Sequence, residues 1–314
     1  MNKKVVVLGG GTGLSYLLRG LKQFPVDITA IVSICDDGKS TGRLREEFKQ
    51  PAVGDIRRVL VALSETEPLV EKLLNYRFKT TSDLDGHTVG NLLLTAMTNI
   101  TGNMRIGIKS LSKVLNLKGK VIPFSEDNAI LMGEMTDGCV IEGEHNITQC
   151  NKKIKRVFYK DEPQVSKEAL KAIKNADLIV LSMGSVFTSI IPNLVCKEII
   201  EAIDKCKAKI MYCCNIVTQP GETDDFKASD HINLLNSYLG EKKISVGIFN
   251  KEQMDPELVL KYETEEQKDP VVFDKENLGD LEIIEDNLIT DADGTFKHDV
   301  IRLAFNIFEY LLRK

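Results

Sequence analysis

Residues 5–13 read VVVLGGGTG, and leucines follow at positions 14, 17, 18 and 21. The apolar run predicts a buried strand, and the leucine spacing predicts a helix directly behind a glycine turn. A second apolar run, over 28–34, ends just before Asp36 and Asp37. Strands that are apolar throughout, with helices between them, are typical of a parallel sheet covered on both faces. This beginning therefore indicates an α/β fold with a doubly wound core.

The rest of the chain repeats this alternation. Periodicity predicts, in order, a helix over 167–175, a strand over 178–181, a helix over 193–205, a strand over 210–214, a helix over 230–239 and a strand over 244–249. The residues from 255 to 296 are charged and less periodic, and 299–312 reads as an amphipathic C-terminal helix. No Gly/Ser-rich linker divides the chain. The sequence therefore predicts one domain over 1–314, Rossmann-like, with a doubly wound, mainly parallel sheet.

The pattern changes between the two halves of this sheet. Short alternating runs over 129–135, 139–142 and 153–159 contain the hairpin signal Asp137-Gly138. We therefore expect a small β insertion at about 121–160.

Composition narrows the class of protein. The 314 residues carry 41 Lys+Arg against 46 Asp+Glu, and aromatic residues make up 6% with no tryptophan. Neither the charge nor the aromatic content suits a nucleic-acid surface. Seven cysteines without a C-x-x-C pair suggest free thiols in a reducing compartment, and no apolar run approaches the ~18 residues of a membrane helix. We expect a cytoplasmic protein with no nucleic-acid partner and no membrane insertion.

The glycine turn is the strongest local signal for a ligand. Consecutive glycines let the backbone approach a ligand closely, and the N-terminus of the next helix favours phosphate. The dinucleotide fingerprint G-x-G-x-x-G is absent, since Leu14 and Tyr16 stand where it needs glycine, and this disfavours an NAD-dependent dehydrogenase. The candidate phosphate-binding residues are Gly10, Gly11, Thr12 and Gly13.

Acids and donors follow the second strand. An acid about 20 residues beyond a glycine loop can bind a ribose hydroxyl, which suits Asp36. Asp37 is equally suited to holding a divalent cation or to capping the turn. Asp36 and Asp37 are therefore the weak candidates for a metal ligand. The segment GKST at 38–41 imitates half of a Walker A motif but lacks its first glycine, which excludes an ATPase loop. The candidate phosphate donors here are Ser40, Thr41 and Arg43.

Three further segments supply polar side chains. His87 and Asn91 open an apolar helix, where a capping or ligand hydrogen bond is favoured over a general base, while His145 and His231 read as solvated loop residues. The loops at 184–193 and 215–223 follow strands whose carboxyl ends meet at one sheet edge. Their candidate binding residues are Gly184, Ser185, Thr188, Ser189, Asn193, Asn215 and Thr218. Since Ser185 does not sit in a G-x-S-x-G elbow, no residue is assigned a catalytic role.

Six segments in order carry a family resemblance: 9–13, 36–45, 54–57, 86–91, 188–193 and 218–223. Together they resemble the YvcK/CofD-like family, and specifically its gluconeogenesis-factor branch. The resemblance implies a Rossmann-like fold that binds UDP-N-acetylglucosamine. It also implies a role in carbon-flux control and cell shape during gluconeogenic growth, through a protein partner in cell-wall or carbon-flux control. Family positions that hold the sugar nucleotide correspond here to Tyr262, Lys297 and His298.

Two readings of the function remain from this resemblance. The first is a nucleotide-sugar-binding regulator that is not an enzyme and requires no cofactor, with a homo-oligomer left open. The alternative is a CofD-like transferase, which moves a phospholactyl group from a nucleotide diphosphate donor to a deazaflavin with Mg²⁺ at an aspartate. The chain departs from the family at Lys39, where a glycine is usual, at Met183 in the 182–187 loop, and at Lys297, where an arginine is common. Lysine keeps the charge there but loses the bidentate fork.

Overall fold

The computed structural model describes residues 2–150, 152–290 and 295–313. The strands are β1 (Lys3–Gly9), β2 (Val26–Val32), β3 (Lys120–Pro123), β4 (Leu131–Met135), β5 (Val140–Glu142), β6 (Ile154–Tyr159), β7 (Leu178–Leu181), β8 (Lys209–Cys213), β9 (Ile244–Asn250), β10 (Glu282–Asp286), β11 (Ile289–Thr290) and β12 (Lys297–His298). The helices are α1 (Gly11–Leu21), α2 (Lys39–Phe48), α3 (Gly54–Leu63), α4 (Pro68–Asn75), α5 (Val89–Thr101), α6 (Met104–Val114), α7 (Glu144–Gln149), α8 (Lys167–Lys174), α9 (Lys197–Lys205), α10 (Ala228–Tyr238), α11 (Pro256–Lys261) and α12 (Val300–Leu312). Part of the charged 255–296 stretch, residues 291–294, lies outside the described residues.

Seven strands form one parallel sheet in the order β10-β9-β8-β7-β1-β2-β3. The strand order reverses between β1 and β7, which is the point where doubly wound sheets bind ligands. The predicted α/β, Rossmann-like, doubly wound fold is confirmed.

Alternating side chains of β1 show why both faces of the sheet are covered. Val5 and Val7 pack into one core with α1, α3 and α12, and Val6 and Leu8 pack into the other with α8 and α9. Strands buried on both sides must be apolar at every position, which is the pattern that predicted them. The C-terminal helix also forms as predicted. It lies so close to α1 that a Cβ on Gly20 would come within 2.0 Å of the Val300 carbonyl oxygen.

A second, antiparallel sheet of β5, β4 and β6 comes after β3 and before β7 in the chain. Gly138 takes a left-handed φ of 86° in the turn between β4 and β5, which is the conformation that the Asp-Gly signal predicts. The start of the expected insertion is wrong, because residues 120–123 are β3 and pair with β2 at the edge of the main sheet.

Three other predictions need correction. The helix expected over 193–205 begins at Lys197, since residues 186–193 form one π turn and one 3₁₀ turn first. The charged stretch contains β10, whose acidic residues obscure an edge strand of the main sheet. His231 is fully buried in α10 rather than solvated, because that helix turns it towards Tyr212 of β8, with 3.2 Å between Nδ1 and the hydroxyl.

All seven cysteines are free, and five of them are buried. Within residues 2–150, 152–290 and 295–313, every helix is too short or too polar to cross a lipid bilayer.

Candidate functional site

The candidate site lies at the carboxyl edge of the main sheet, beside the reversal of strand order. Four loops meet there, after β1, β2, β7 and β8. This is the crevice in which open α/β sheets bind their ligands.

The glycines of the loop after β1 differ in their surroundings. Gly13 packs against the loop after β7, where a Cβ would come within 2.1 Å of the Met183 carbonyl oxygen. Gly11, by contrast, opens α1 with a left-handed φ of 62°, and a Cβ there would meet nothing closer than Ser189 Oγ at 3.5 Å. Thr12 beside it is exposed. The first turn of α1 is therefore the open part of this loop.

A carboxylate that the sequence analysis did not single out stands at this helix start. Asp55, at the beginning of α3, is buried, accepts a hydrogen bond from the backbone of Gly11 and pairs with Arg58 at 2.8 Å. Burial, and then the charge of Asp36, raise the pKa of Asp55 to about 6. The signal in the sequence was only the acid of Gly54-Asp55-Ile56-Arg57, because its backbone donor, Gly11, lies far away along the chain.

The two acids after β2 hold different parts of the fold. Asp36 accepts from the Gly38 N–H at 3.1 Å and from the Thr41 hydroxyl at 2.8 Å, so it fixes the loop that leads into α2. Asp37 accepts at 2.7 Å from the N–H of His145, at the start of α7. Asp37 therefore ties the antiparallel β4–β6 sheet region to the cleft, and the Thr41 hydroxyl is engaged by Asp36.

Negative charge accumulates in this cleft. Burial raises the pKa of Glu144, and Asp36, Asp55, Asp37 and Glu222 raise it further, to about 8. Among the described residues no three acidic, histidine or cysteine side chains are grouped closely enough to hold a metal ion. Mg²⁺ in proteins is commonly bound by one or two carboxylates together with substrate phosphates. The carboxylates fit a cation that arrives with a phosphate ligand.

A buried network of polar side chains lies next to α2, at one side of the cleft. Ser40 Oγ lies 2.9 Å from His87 Nδ1 and accepts from Asn91 at 3.1 Å, and Asn91 in turn accepts from Arg57 at 3.2 Å. Burial, followed by the charges of Arg43 and Arg77, lowers the pKa of His87. The network joins α2, α3 and α5 around a neutral imidazole, and the hydroxyl of Ser40 is already engaged.

The arginines of α2 differ in their surroundings. Arg45 is buried and donates to Asn128, to the Ala129 carbonyl and to two carbonyls of the β2 loop. Arg43 is exposed and donates to the Asp85 carbonyl. Of the two, Arg43 is the one on the surface, while Arg45 fixes the loop that carries Asp36 and Asp37.

The loop after β7 is closed by Glu222, another residue the sequence analysis did not assign. Its buried carboxylate accepts from Ser185 at 2.6 and 2.7 Å, from the Phe187 N–H at 3.2 Å and from Gln219 at 3.0 Å, with Thr188 at 3.4 Å. Burial raises the pKa of Glu222, and these donors oppose that rise. The hydroxyls of Ser185 and Thr188 therefore face Glu222, whereas Ser189 faces the glycine loop.

Two side-chain amides and one hydroxyl hold the loops of the cleft. Asn215 and the backbone of Gly184 exchange two hydrogen bonds of 2.8 Å, which link the loops after β7 and β8. Asn193 donates to the Ser189 carbonyl at 2.9 Å, while its Oδ1 is buried without a hydrogen-bond partner in the described parts of the chain. Thr218 exchanges two bonds with the backbone of Asp269. These residues hold the walls of the cleft in place.

The C-terminal candidates come together beside β8. The Tyr262 hydroxyl accepts from the Phe296 N–H at 2.9 Å, and Lys297 and His298 form the following strand, β12. His298 Nε2 lies 3.0 Å from the Cys214 carbonyl oxygen, where β8 ends. Burial lowers the pKa of His298 to about 4, so its imidazole is neutral at pH 7. The structure thus places Tyr262, Lys297 and His298 along one wall of the carboxyl edge.

Comparisons with known proteins agree on a family. The family model described as 2-phospho-L-lactate transferase CofD matches residues 5–289. The protein named gluconeogenesis factor from Bacillus subtilis (strain 168) is 47% identical over 312 residues, which cover 98% of each chain. Its namesake from Halalkalibacterium halodurans is 47% identical over 311 residues, covering 98% of this chain and 96% of the other. An X-ray structure of a Bacillus halodurans protein superposes with a TM-score of 0.94 at 45% identity, covering 98% and 100% of the two chains.

Proposed function

This chain belongs to the CofD family, in the branch of its gluconeogenesis factors, and we propose that it is a regulatory protein that binds UDP-N-acetylglucosamine. In this proposal the ligand's diphosphate meets the first turn of α1, and the sugar reaches the wall formed by Tyr262, Lys297 and His298. In this proposal no residue takes part in bond breaking, and ligand binding requires no cofactor. It works in the cytoplasm through a protein partner in carbon-flux or cell-wall control.

The observation that carries the proposal is the open first turn of α1 at the reversal of strand order. The backbone N–H groups of Thr12 and Gly13 have no hydrogen-bond partner in the described residues. Such groups at a helix N-terminus, together with the helix dipole, favour a phosphate. Asp36 lies near Asp55, and its carboxylate, which also accepts from Gly38 and Thr41, would accept from a ribose hydroxyl.

The engaged hydroxyls support a binding protein over an enzyme. Ser185 and Thr188 are hydrogen-bonded to Glu222, and Ser40 is hydrogen-bonded to His87 and Asn91. A nucleophile needs a free approach to its substrate, and the hydroxyls of Ser40 and Thr188 are buried. These side chains instead hold the cleft in shape.

The first experiment is a titration of the purified protein with UDP-N-acetylglucosamine, GDP and NAD, with and without Mg²⁺, followed by thermal unfolding. A ligand at 100 times its Kd stabilises the fold by about 2.7 kcal/mol, which a melting curve resolves. We expect a rise in Tm with the UDP-sugar. Turnover of the sugar nucleotide, or no rise with it at any concentration, contradicts the proposal.

Thr12→Glu is the matched test of the phosphate position. A carboxylate in the first turn of a helix is favourable to the helix dipole, so the variant keeps its stability. It places negative charge where the diphosphate binds, and we expect affinity for the UDP-sugar to fall by tenfold or more. Thr12→Gln, which is neutral and of equal size, retains binding. Equal affinities in the two variants would place the ligand elsewhere.

The regulatory role has its own test in cells. The relatives named gluconeogenesis factor suggest growth on carbon sources that require gluconeogenesis. A strain that lacks this protein should grow poorly and lose its normal shape there, and the native chain and Thr12→Gln should restore both. Restoration by Thr12→Glu would separate the cellular role from ligand binding.

The convergence of carboxylates favours a second candidate, a CofD-like phospholactyl transferase with Mg²⁺. Asp36 or Asp37 would hold the ion, which supplies charge neutralisation to the donor's phosphates when bound. In Asp37, the His145 N–H already occupies Oδ1 and would orient the carboxylate. A rise in Tm that needs both GDP and Mg²⁺, with product formed from a deazaflavin acceptor, would favour this candidate. Binding of the UDP-sugar without metal would count against it.

A further inference from the structure

We propose that a second ligand site, for a small organic anion with an apolar body, lies at the opposite, amino edge of the sheet. A cavity of about 570 Å³ opens there, beside the first residues of β1, β2 and β3. Small-molecule sites typically measure ~300–1,000 Å³. The cavity shares no lining residue with the carboxyl-edge cleft.

The floor of the cavity is the part of the sheet that lies between α6 and α8. Val6, Thr29 and Lys120 lie side by side in the strand register, and Ile122 extends the same face. Helix α8 covers the neighbouring part of this face with Ala169 and Ile173, which are buried in the core. Ala172, beside Ile173 on the same helix, lines the cavity as part of its first wall.

The second wall comes from α6, which approaches from the edge of the sheet. Arg105, Lys109 and Ser112, spaced four and three residues apart, line this wall from one face of the helix. Arg105 bonds to Glu168 of α8 at 3.1 Å and so joins the two walls. Both walls are therefore parts of regular helices, and the cavity is a rigid gap between them.

The rim carries an excess of positive charge in a chain whose net charge is −5. Five cationic and two acidic side chains line the cavity: Lys4, Arg105, Lys109, Lys120 and Lys171, with Asp27 and Glu168. Arg105 neutralises Glu168, while the four lysines make no ion pair with any described residue. Unpaired cations around an apolar floor attract an anion and leave its apolar part in the gap.

The chemistry of the lining selects the class of ligand. Val6, Ile122 and Ala172 offer apolar contacts inside, and the ammonium groups stand at the exposed rim. An inorganic phosphate would use the rim alone, and a neutral apolar molecule the floor alone. An organic carboxylate, sulfonate or phosphate of modest size uses both.

The test uses 8-anilinonaphthalene-1-sulfonate, an aromatic probe with one sulfonate, whose fluorescence rises in an apolar site. We expect saturable binding to one site of the native, full-length protein, weakened by added salt. The double variant Lys109→Glu/Lys171→Glu should bind the probe about tenfold more weakly, since two nearby attractions become repulsions. The control Lys113→Glu/Lys174→Glu reverses two lysines on the same helices that do not line the cavity, and should stay within about twofold.

Ala172→Phe tests the floor without changing charge. The ring would fill the gap between α8 and β3, and binding should be lost while the melting temperature is kept; Ala172→Ser should bind as the native protein does. The proposal is overturned by absence of saturable binding, by equal weakening in the two double variants, or by a signal that Ala172→Phe leaves intact. Displacement of the probe by UDP-N-acetylglucosamine would place the probe in the carboxyl-edge cleft and would also overturn it.

Discussion

The two edges of one sheet carry opposite charge in different states of burial. At the carboxyl edge, Asp55 and Glu222 are buried carboxylates bound into the fold by backbone and side-chain donors. At the amino edge, Lys109 and Lys171 are exposed and stand without ion-pair partners in the described chain. Buried charges determine stability and couple to protons, whereas exposed ones mainly attract ligands. The comparison can be tested by changing one charge at a time.

The largest effect is expected at Glu222. Glu222→Ala removes the acceptor of Ser185, Phe187 and Gln219, and leaves buried donors without a partner. Each such loss costs about 1–3 kcal/mol, so we expect the free energy of unfolding in urea to fall by about 3 kcal/mol. Glu241→Ala, at an exposed position, should change it by less than ~0.5 kcal/mol. If Glu222→Ala and Glu241→Ala lowered the free energy of unfolding by similar amounts, the buried carboxylate at the carboxyl edge would not determine stability.

The pH dependence of stability tests the same edge. The folded pKa values of Asp55 and Glu144, about 6 and about 8, lie above the ordinary values of 3.8 and 4.5. A raised pKa of an acid means that the folded state holds its proton more tightly. Stability from these two groups is therefore full below about pH 4 and is lost as the pH rises to about 8.

The substitution Glu144→Gln should remove most of the loss of stability that the native protein shows as the pH rises. We expect the variant to be more stable than the native protein by about 2 kcal/mol at pH 8, and equally stable near pH 4. Chemical denaturation across this pH range makes the comparison, with Glu241→Gln as the exposed control. If the free energy of unfolding changed with pH in the same way in the native protein and in Glu144→Gln, the pKa of Glu144 would not be raised in the folded state.

A smaller effect is expected at Lys39, the first residue of α2. Its φ of 27° is left-handed, where a lysine is strained and a glycine is not. Lys39→Gly should raise the free energy of unfolding by about 0.5–1 kcal/mol, because the relief of strain exceeds the added entropy of the unfolded chain. Lys39→Ala keeps the strain and should bring no gain. A loss of stability with glycine would show that the lysine side chain itself stabilises the acidic edge.

The smallest effect is expected at the amino edge. Lys171→Glu should change the free energy of unfolding by less than about 0.5 kcal/mol, since its ammonium group is exposed and unpaired. The same substitution should nonetheless weaken binding of the sulfonate probe. A destabilisation as large as that of Glu222→Ala would mean that the two edges are built alike.

The sequence predicted the parts of the fold that depend on local pattern. The strand β1, the glycine turn and α1 follow from an apolar run, a glycine run and leucines at helical spacing. Strand β10 escaped prediction because Glu282, Glu285 and Asp286 break its apolar run, which an edge strand tolerates. The helix expected from 193 was displaced by a loop whose cap, Glu222, is 37 residues away from Ser185 in the chain.

The candidate site was predictable in position and much less so in chemistry. Loops after parallel strands converge at one edge, so the neighbourhood of the glycine loop, Asp36 and the 184–193 loop followed from topology. The engagement of Ser40 and Thr188, and the coupling of Asp55 with Asp36, depend on contacts between distant segments. Composition and spacing carry no information about such contacts.

The central position of β1 has a consequence for folding during synthesis on the ribosome. Its first neighbour, β2, follows directly after α1, but its second, β7, is synthesised some 170 residues later. At ~5–20 residues per second, this interval lasts roughly 10–30 s. Until β7 is made, a nascent half-sheet of β1 and β2, later joined by β3, would present β1 as an unpaired apolar edge, the kind of edge that pairs with other chains. The strand that anchors the finished sheet is thus the one most in need of protection while the chain is being made.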